Sequence, residues 1–177
     1  PLNVCDLNRD ALYKNVEIYN LMKALQIEDT IEKLRYNQVI LATDADVDGL
    51  HIRNLMITFF IRFFEPLVKD NHLKILETPL FRVRNKKQTI YCYTEEERKT
   101  AIEALGRGVE ITRFKGLGEI SPGEFKEFIS KDGIRLTPVT IKNDQSTSDI
   151  INFYMGKNTP DRRDYIMSHL VVDAEMM

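Results

Sequence analysis

Three aspartates at alternate positions follow a short apolar run and carry the clearest chemical signal in the sequence. The run is 39–42, and Asp44, Asp46 and Asp48 follow it directly, with Gly49 next. Residues two apart in an extended chain project from the same face. Carboxylates held this close repel one another, and a hard divalent cation such as Mg²⁺ relieves that repulsion. The pattern predicts a metal site at the end of a buried strand.

Other interpretations of this acidic segment stay open. It could be a solvated turn in which Asp48 caps the next helix. It also matches the first half of a calcium-binding loop, but the glutamate required six residues after the glycine is replaced by Leu55. An aspartyl-phosphate enzyme would use Asp44 as nucleophile and Asp46 as acid or base, although Asp48 is not expected there.

Two basic side chains, His51 and Arg53, follow within the first turns of the next predicted helix. The N-terminus of a helix favours anions through its free N–H groups and its dipole. The pair therefore predicts a phosphate contact beside the acidic segment, and the alternative is a pair of solvated surface residues.

A second cluster reads Arg-Phe-Lys-Gly-Leu-Gly-Glu over residues 113–119. Its glycines permit close backbone approach. The spacing of a phosphate-binding P-loop is absent, and a lone G-x-G is more often a tight turn.

Periodicity and capping residues predict the elements that must position these segments. Thr94 with Glu97, and Ser121 with Glu124, have the spacing of capping boxes. The predicted strands span 39–42, 73–77, 80–84, 89–93 and 135–141, with a hairpin between the third and fourth. The predicted helices span 12–25 with a break near Asn15, 49–63 ahead of Pro66, 94–105, 121–129 and 149–155, with a last helix from Thr159.

Composition excludes several classes of protein. The 177 residues carry 25 Lys and Arg against 27 Asp and Glu, so nucleic acid could be bound only through local basic groups. Cys5 and Cys92 form no C-x-x-C pair, which favours a reducing cytoplasm. The most apolar stretch, 55–61, is interrupted by Thr58 and is too short for a membrane span. The opening Pro1, with no initiator Met, suggests a piece of a longer protein.

Taken together, T-D-A-D-V-D-G-L-H-I-R at 43–53 and R-F-K-G-L-G-E at 113–119 closely resemble the B subunits of bacterial type IIA DNA topoisomerases, the gyrase and topoisomerase IV enzymes. The resemblance implies an α/β Toprim fold, Rossmann-like, with a mostly parallel sheet flanked by helices and a small α+β tail region. We expect the Toprim domain, without its first strand and glutamate, over 1–105. The remainder, with the Lys-Gly-Leu-Gly-Glu loop, follows over 106–177.

The resemblance also implies site residues, cofactors and partners. Asp44 and Asp46 would be catalytic ligands of Mg²⁺, with Asp48 a further ligand, and Mn²⁺ or Ca²⁺ could substitute. The residues expected to contact DNA or organise the site are His51, Arg53, Lys115, Gly116, Gly118 and Glu119. Double-stranded DNA and an A subunit in an A2B2 assembly would be the partners, and ATP would bind further upstream. The setting would be bacterial cytoplasm at the nucleoid, without a membrane.

One departure from the family pattern stands out. The E-G-D-S-type string that supplies the family's glutamate ligand and acid/base is absent from the sequence. We therefore expect this chain alone to have an incomplete metal site and to be unable to cleave DNA or hydrolyse ATP. The short segment between Tyr93 and Arg113 favours topoisomerase IV over gyrase, and the choice between the two enzymes stays open.

Overall fold

A computed structural model describes residues 2–170 of the chain. The strands are β1 (Val39–Leu41), β2 (Leu73–Leu76), β3 (Phe81–Arg84), β4 (Thr89–Cys92), β5 (Glu110–Arg113) and β6 (Leu136–Pro138). The helices are α1 (Arg9–Lys14), α2 (Val16–Leu25), α3 (Val47–Phe63), α4 (Glu65–Lys69), α5 (Glu95–Leu105), α6 (Pro122–Phe128), α7 (Asp144–Met155) and α8 (Thr159–Ser168). Short 3-10 turns lie at Ile31–Lys33 and Leu117–Glu119.

The described residues divide into two compact units, each built from separate segments. The first unit contains 2–35, 58–69 and 140–170, and the second contains 36–57 and 70–139. The boundary expected after residue 105 stays a prediction. Strand β5 lies beyond it and pairs with β3, so one sheet holds residues from both sides of that boundary.

The first unit is helical and has an aromatic core. The ring of Phe59 lies 5.0 Å from that of Phe60 and 5.3 Å from that of Phe64, and all three side chains are buried. The predicted break near Asn15 is confirmed, since its backbone N–H closes α1 on Leu12 and its side chain accepts from Ile18 to cap α2.

The first sheet of the second unit has the order β1-β2-β6 and is mixed. Strands β1 and β2 are parallel, with Val39 opposite Leu73, because α3 forms part of the crossover between them in sequence. Strand β6 is antiparallel to β2. Between β2 and β6 the chain forms the three strands of the second sheet, and it then enters β6 in the direction opposite to β2. The expected α/β fold is confirmed, but a mostly parallel sheet is wrong for the described strands.

The second sheet has the order β4-β3-β5 and is antiparallel throughout. The predicted hairpin is confirmed, and Asn85 holds its turn by accepting from the N–H groups of Lys87 and Gln88. One face of the sheet buries Phe81, Val83 and Cys92 against Ala101 of α5. The opposite face carries Arg82 and Arg84, because side chains alternate along a strand.

Several predicted helix ends are confirmed and others are corrected. Ser121 and Glu124 form the expected capping box. Thr94 caps α5, but the Glu97 carboxylate accepts from the Tyr93 N–H instead of completing a box on Thr94. Helix α7 starts at Asp144, not Asp149, because the Asn143 side chain accepts from Ser146 and caps it earlier.

Candidate functional site

The acidic segment links β1 to α3, and its second aspartate sets the start of the helix. Asp46 Oδ1 accepts from the Gly49 N–H at 2.7 Å, so Asp46 is the N-terminal cap. Asp48 lies in the first turn of α3 and is exposed. The turn interpretation with Asp48 as cap is therefore wrong in its residue, because the helix begins at Val47, two positions earlier than that interpretation requires.

Asp44 joins the acidic segment to the second predicted motif. Its Oδ1 accepts from the Leu117 N–H at 2.7 Å, across 73 positions of sequence. A Cβ on Gly116 would lie 2.8 Å from Asp44 Cγ, and a Cβ on Gly49 would lie 2.1 Å from Asp44 O. Glycine at both positions leaves room for Asp44. All of these residues belong to the second unit.

The 113–119 segment is a loop that is held from within. The Lys115 N–H donates to Glu119 Oε2 at 2.8 Å, and Leu117–Glu119 forms a 3-10 turn. Gly118 differs from Gly116, because a Cβ built on it meets nothing within 4 Å. Of the four residues predicted here, Gly116 makes room for Asp44, Glu119 holds the loop, and Lys115 is exposed.

His51 and Arg53 lie on α3 after the acidic segment. His51 is exposed, whereas Arg53 is partly buried and donates from Nε to Thr43 Oγ1 at 3.2 Å. Arg53 also lines a cavity of about 330 Å³ in the second unit. The lining includes Ala45 between the first two aspartates, together with Thr78 and Arg135. A cationic group thus lies within the same unit as the predicted ligands.

The carboxylate oxygens of the three aspartates suit a hard cation, but the three side chains do not converge on one point. Within residues 2–170 there is no group of three or more His, Cys, Asp or Glu placed to hold a metal ion. Asp44 and Asp46 each use Oδ1 in a backbone hydrogen bond. Mg²⁺ typically binds through one or two carboxylates while keeping waters or phosphate oxygens. Asp44 and Asp46 fit that mode, not a closed protein cage.

The second sheet holds a charged network beside the loop that the sequence did not predict. Arg82 Nη1 lies 2.6 Å from Glu124 Oε1, and the Tyr91 hydroxyl donates to the same oxygen at 3.1 Å. Hydrogen bonds from Ser121, followed by those from Arg82 and Tyr91, hold the pKa of Glu124 at about 2. Burial, followed by the bond to Glu124, raises the pKa of Tyr91 to about 12. The only sequence signal was Glu124 as a capping residue.

Two family models match the chain over most of its length. Residues 9–78 match the Toprim domain, and residues 106–167 match the carboxyl terminus of the DNA gyrase B protein. The three aspartates with His51 and Arg53 lie in the first match, and the 113–119 loop lies in the second. The hydrogen bond between Asp44 and Leu117 therefore connects the two matched regions.

Relatives agree with both family matches. The chain is 58% identical to the B subunit of DNA topoisomerase 4 from Borreliella burgdorferi over 97% of its length, and 36% identical to the B subunit of DNA gyrase from Archaeoglobus fulgidus over 95%. The chain belongs to the type II DNA topoisomerase B-subunit family. This B-subunit chain spans 28% and 27% of those two relatives, about a quarter of each.

A solved structure gives the same result for the fold of this B-subunit chain. It is the DNA-binding, cleavage and re-ligation domain of topoisomerase II from Plasmodium falciparum. The match has a TM-score of 0.78 and 28% identity, and covers 98% of this chain and 25% of the other. The Toprim fold expected from the two motifs is thus confirmed. None of the helices in the described chain combines the length and apolarity that crossing a membrane requires.

Proposed function

We propose that this chain is part of the DNA cleavage and religation machinery of a type II topoisomerase, with Asp44 and Asp46 as ligands of Mg²⁺ beside the scissile phosphate. The observation that carries the proposal is the 2.7 Å hydrogen bond from the Leu117 N–H to Asp44. It joins the two motifs that lie in separate family matches. The likeness to a solved cleavage and re-ligation domain supports the same function.

Each carboxylate has a distinct part in this proposal. Asp44 is held from the loop by Leu117, and Asp46 is held by the Gly49 N–H, so neither needs to reorient when it meets a cation. Asp48 is exposed and would serve as a further ligand, directly or through water. When bound, Mg²⁺ would offset charge on the phosphate and on the departing 3′ oxygen. Mn²⁺ or Ca²⁺ could take the same oxygen ligands.

DNA contact would come from single basic groups, because the chain has a net charge of −2. Lys115 and His51 are exposed, and Arg53 donates a hydrogen bond to Thr43 beside the aspartates. Such groups would bind phosphates and position the duplex without reading its sequence. Gly116, Gly118 and Glu119 would organise the loop that presents Lys115.

The whole activity would require a larger assembly. The attacking tyrosine would come from an A subunit in an A2B2 complex, and ATP would bind in another part of the longer B subunit. The proposal makes the complete enzyme an isomerase that passes one double-stranded DNA through another in the bacterial cytoplasm. This chain by itself would cleave no DNA.

Reconstitution tests the proposal. The full-length B subunit that carries this chain is combined with its A subunit, ATP, Mg²⁺ and plasmid DNA. We expect Asp44→Asn to lower cleavage at least about a hundredfold, because a metal-held phosphate loses a charged ligand. Asp132→Asn, an exposed aspartate of the same unit, is the matched control and should cleave normally. Wild-type cleavage by the Asp44→Asn enzyme would contradict the proposal.

The same assay separates the two kinds of enzyme. Negative supercoiling of relaxed plasmid would identify a gyrase, and decatenation without supercoiling would identify a topoisomerase IV. The 58% identity to a topoisomerase 4 protein favours the second outcome.

A second candidate function is a DNA-binding or subunit-interaction module in which the carboxylates only shape the turn. The use of Asp44 and Asp46 in backbone hydrogen bonds favours it. Titration with Mn²⁺ distinguishes the two candidates. Binding that disappears in Asp44→Asn and Asp46→Asn supports the metal site, and unchanged binding supports the module.

A further inference from the structure

Glu124 lies where the second sheet meets the loop that touches Asp44. Its Oε1 accepts from Arg82 on β3 at 2.6 Å and from the Tyr91 hydroxyl on β4 at 3.1 Å. Arg82 and Glu124 have side chains only 17% and 18% exposed. The pair is thus largely shielded from the water that weakens surface ion pairs.

The sheet side of this contact extends across all three strands. Arg82 is directly opposite Tyr91 on β4 and directly opposite Thr112 on β5. Arg82 Nη2 also donates to Thr112 Oγ1 at 3.1 Å. Tyr91, Arg82 and Thr112 thus form a row across the three strands, and Arg82 and Tyr91 both donate to the Glu124 carboxylate. The position of Glu124 therefore depends on the register of the whole sheet.

The other oxygen of Glu124 holds the end of the loop. Oε2 accepts from the Ser121 hydroxyl at 2.7 Å and from the Ser121 N–H at 3.1 Å. Ser121 comes two residues after Glu119, the last residue of the Lys-Gly-Leu-Gly-Glu motif. One carboxylate thus links the sheet through Oε1 to the loop through Oε2.

Apolar packing fixes both flanks of the loop, and the Leu117 side chain in its middle packs against the same cluster while its backbone N–H contacts Asp44. Phe114, Ile120 and Phe128 form a buried cluster, and the Tyr91 ring packs edge-on against Phe128 at 4.5 Å. Between these flanks, the Leu117 N–H reaches Asp44 Oδ1. Tyr91 therefore contacts both the polar link and the apolar cluster.

We propose that Glu124 is a positioning residue for Asp44, and that Arg82 and Tyr91 hold it in place. The link fixes the loop at Ser121, so that the Leu117 N–H meets Asp44 Oδ1 and leaves Oδ2 for a cation. The last step rests on the proposed function, whereas the link from Glu124 to Leu117 does not. Arg82, Tyr91 and Glu124 act on Asp44 through the loop.

Selective labelling of the chain can observe this link without an activity assay. The dipeptide Gly-Leu occurs at Gly49-Leu50 and Gly116-Leu117 and nowhere else in the sequence. Carbonyl-labelled glycine with ¹⁵N-labelled leucine therefore isolates two amide signals by NMR. The Leu50 N–H in the first turn of α3 donates to the carbonyl oxygen of the cap residue Asp46 at 3.0 Å and serves as an internal control.

The variants are chosen to separate positioning from general stability. Glu124→Gln removes the charge, and Tyr91→Phe removes only one hydroxyl and carries the test if Glu124→Gln does not fold. Glu110→Gln is the matched control, because it breaks an ion pair with Arg84 on the same sheet, away from the loop. We expect hydrogen exchange at Leu117 to accelerate about tenfold in the first two variants and less than about twofold at Leu50.

Two results in the test variants would overturn the proposal. One is unchanged exchange at Leu117 in both Glu124→Gln and Tyr91→Phe. The other is equal acceleration at Leu117 and Leu50, which would mean that Glu124 only stabilises the fold as a whole. Glu110→Gln should leave both amides at their wild-type rates, and acceleration of Leu117 alone in that variant would also count against the proposal.

The connection to the cation is tested in the assembled enzyme. Tyr91→Phe should raise the Mg²⁺ concentration for half-maximal cleavage about threefold or more while maximal cleavage stays near wild type. A midpoint equal to that of Glu110→Gln would overturn the connection. If Leu117 responds as expected but Asp44→Asn cleaves normally, the proposed function fails and the link to Leu117 remains.

Discussion

Two arginines on strand β3 make the same kind of ion pair in different surroundings. Arg82 pairs with Glu124, and both side chains are less than a fifth exposed. Arg84, two residues on, pairs with Glu110, and these side chains are 44% and 59% exposed. Arg84 makes three hydrogen bonds to its carboxylate, and Arg82 makes one. The number of hydrogen bonds therefore favours the Arg84 pair as the stronger one, whereas shielding from water favours the Arg82 pair.

Shielding should decide which pair matters, because the attraction between charges strengthens as water is excluded. Helix α6 and the loop cover the Arg82 end of the sheet, while the Arg84 end runs into the hairpin turn at Asn85. The covered end also supplies Glu124 with Tyr91 and Ser121 as further donors. The Arg82 end of the sheet is therefore both shielded and held by additional hydrogen bonds. This end, the fastened end, is the one nearest the loop that touches Asp44.

The largest expected effect is loss of stability in acid. The pKa of Glu124 is held at about 2 by Ser121, Arg82 and Tyr91, below its ordinary value of 4.5. The stabilisation is thus complete above pH 4.5 and is lost as the pH falls toward 2, by about 3 kcal/mol. Urea unfolding of wild type and Glu124→Gln over this range measures it. Glu110→Gln should keep the wild-type acid loss, and a Glu124→Gln curve parallel to wild type would contradict the assignment.

Arg82→Met should give the next largest effect. It leaves the shielded Glu124 carboxylate without its cation and should lower the free energy of unfolding at neutral pH by about 2 kcal/mol. Arg84→Met, at the exposed end of the same strand, should lower it by less than about 1 kcal/mol. Chemical denaturation compares the two variants. Equal losses would mean that shielding does not distinguish the two ends.

Local signals predicted much of the fold that carries this comparison. The strand at 39–41, the hairpin at 81–92 and the capping box of Ser121 with Glu124 were each readable within a few residues. Such features depend on near neighbours, and the structure reproduces them. The hydrogen bond between the two motifs through Asp44 was not predicted, because its partners lie 73 positions apart, and only the family resemblance assigned residues of both motifs to one site.

One error is local, and the others come from contacts between distant segments. Asp46 rather than Asp48 caps α3 because the helix begins where the strand-to-helix turn permits. Strand β6 is antiparallel because of the path taken by the intervening sheet. The bonds from Arg82 and Tyr91 to Glu124 span 42 and 33 positions. Periodicity and capping rules use only residues a few positions apart, so they cannot predict contacts between residues this distant in sequence. From the sequence, Glu124 was therefore predicted only as a helix-capping residue.

Tyr91→Phe should give a smaller effect with a distinct pH dependence. The lost hydroxyl donates to Glu124, so the free energy of unfolding at neutral pH should fall by about 1 kcal/mol. Burial and Glu124 raise the pKa of Tyr91 to about 12 from 10. Stability from this group is present below pH 10 and is lost as the pH rises toward 12, so the gap between wild type and variant should close there. If the difference in unfolding free energy between wild type and Tyr91→Phe grew at alkaline pH instead, the raised pKa of Tyr91 would be contradicted.

The last expected effect, similar in size to that of Tyr91→Phe, tests whether the fastened end reaches Asp44 through the loop. A Cβ at Gly116 would lie 2.8 Å from Asp44 Cγ, whereas one at Gly118 meets nothing within 4 Å. Asp44 can shift its carboxylate away, so Gly116→Ala should cost only about 1 kcal/mol, the net value of the lost hydrogen bond to Leu117. Gly118→Ala should change stability by less than about 0.5 kcal/mol.

Thermal unfolding with the Leu117 amide shift distinguishes these glycine variants. Gly116→Ala should move the Leu117 signal toward its position in Asp44→Ala, because both changes remove the same acceptor. Gly118→Ala should leave that signal in place. If the two alanine variants behave alike, the contact between Asp44 and Gly116 does not govern the loop, and the fastened end of the sheet would stabilise the loop without determining the position of Asp44.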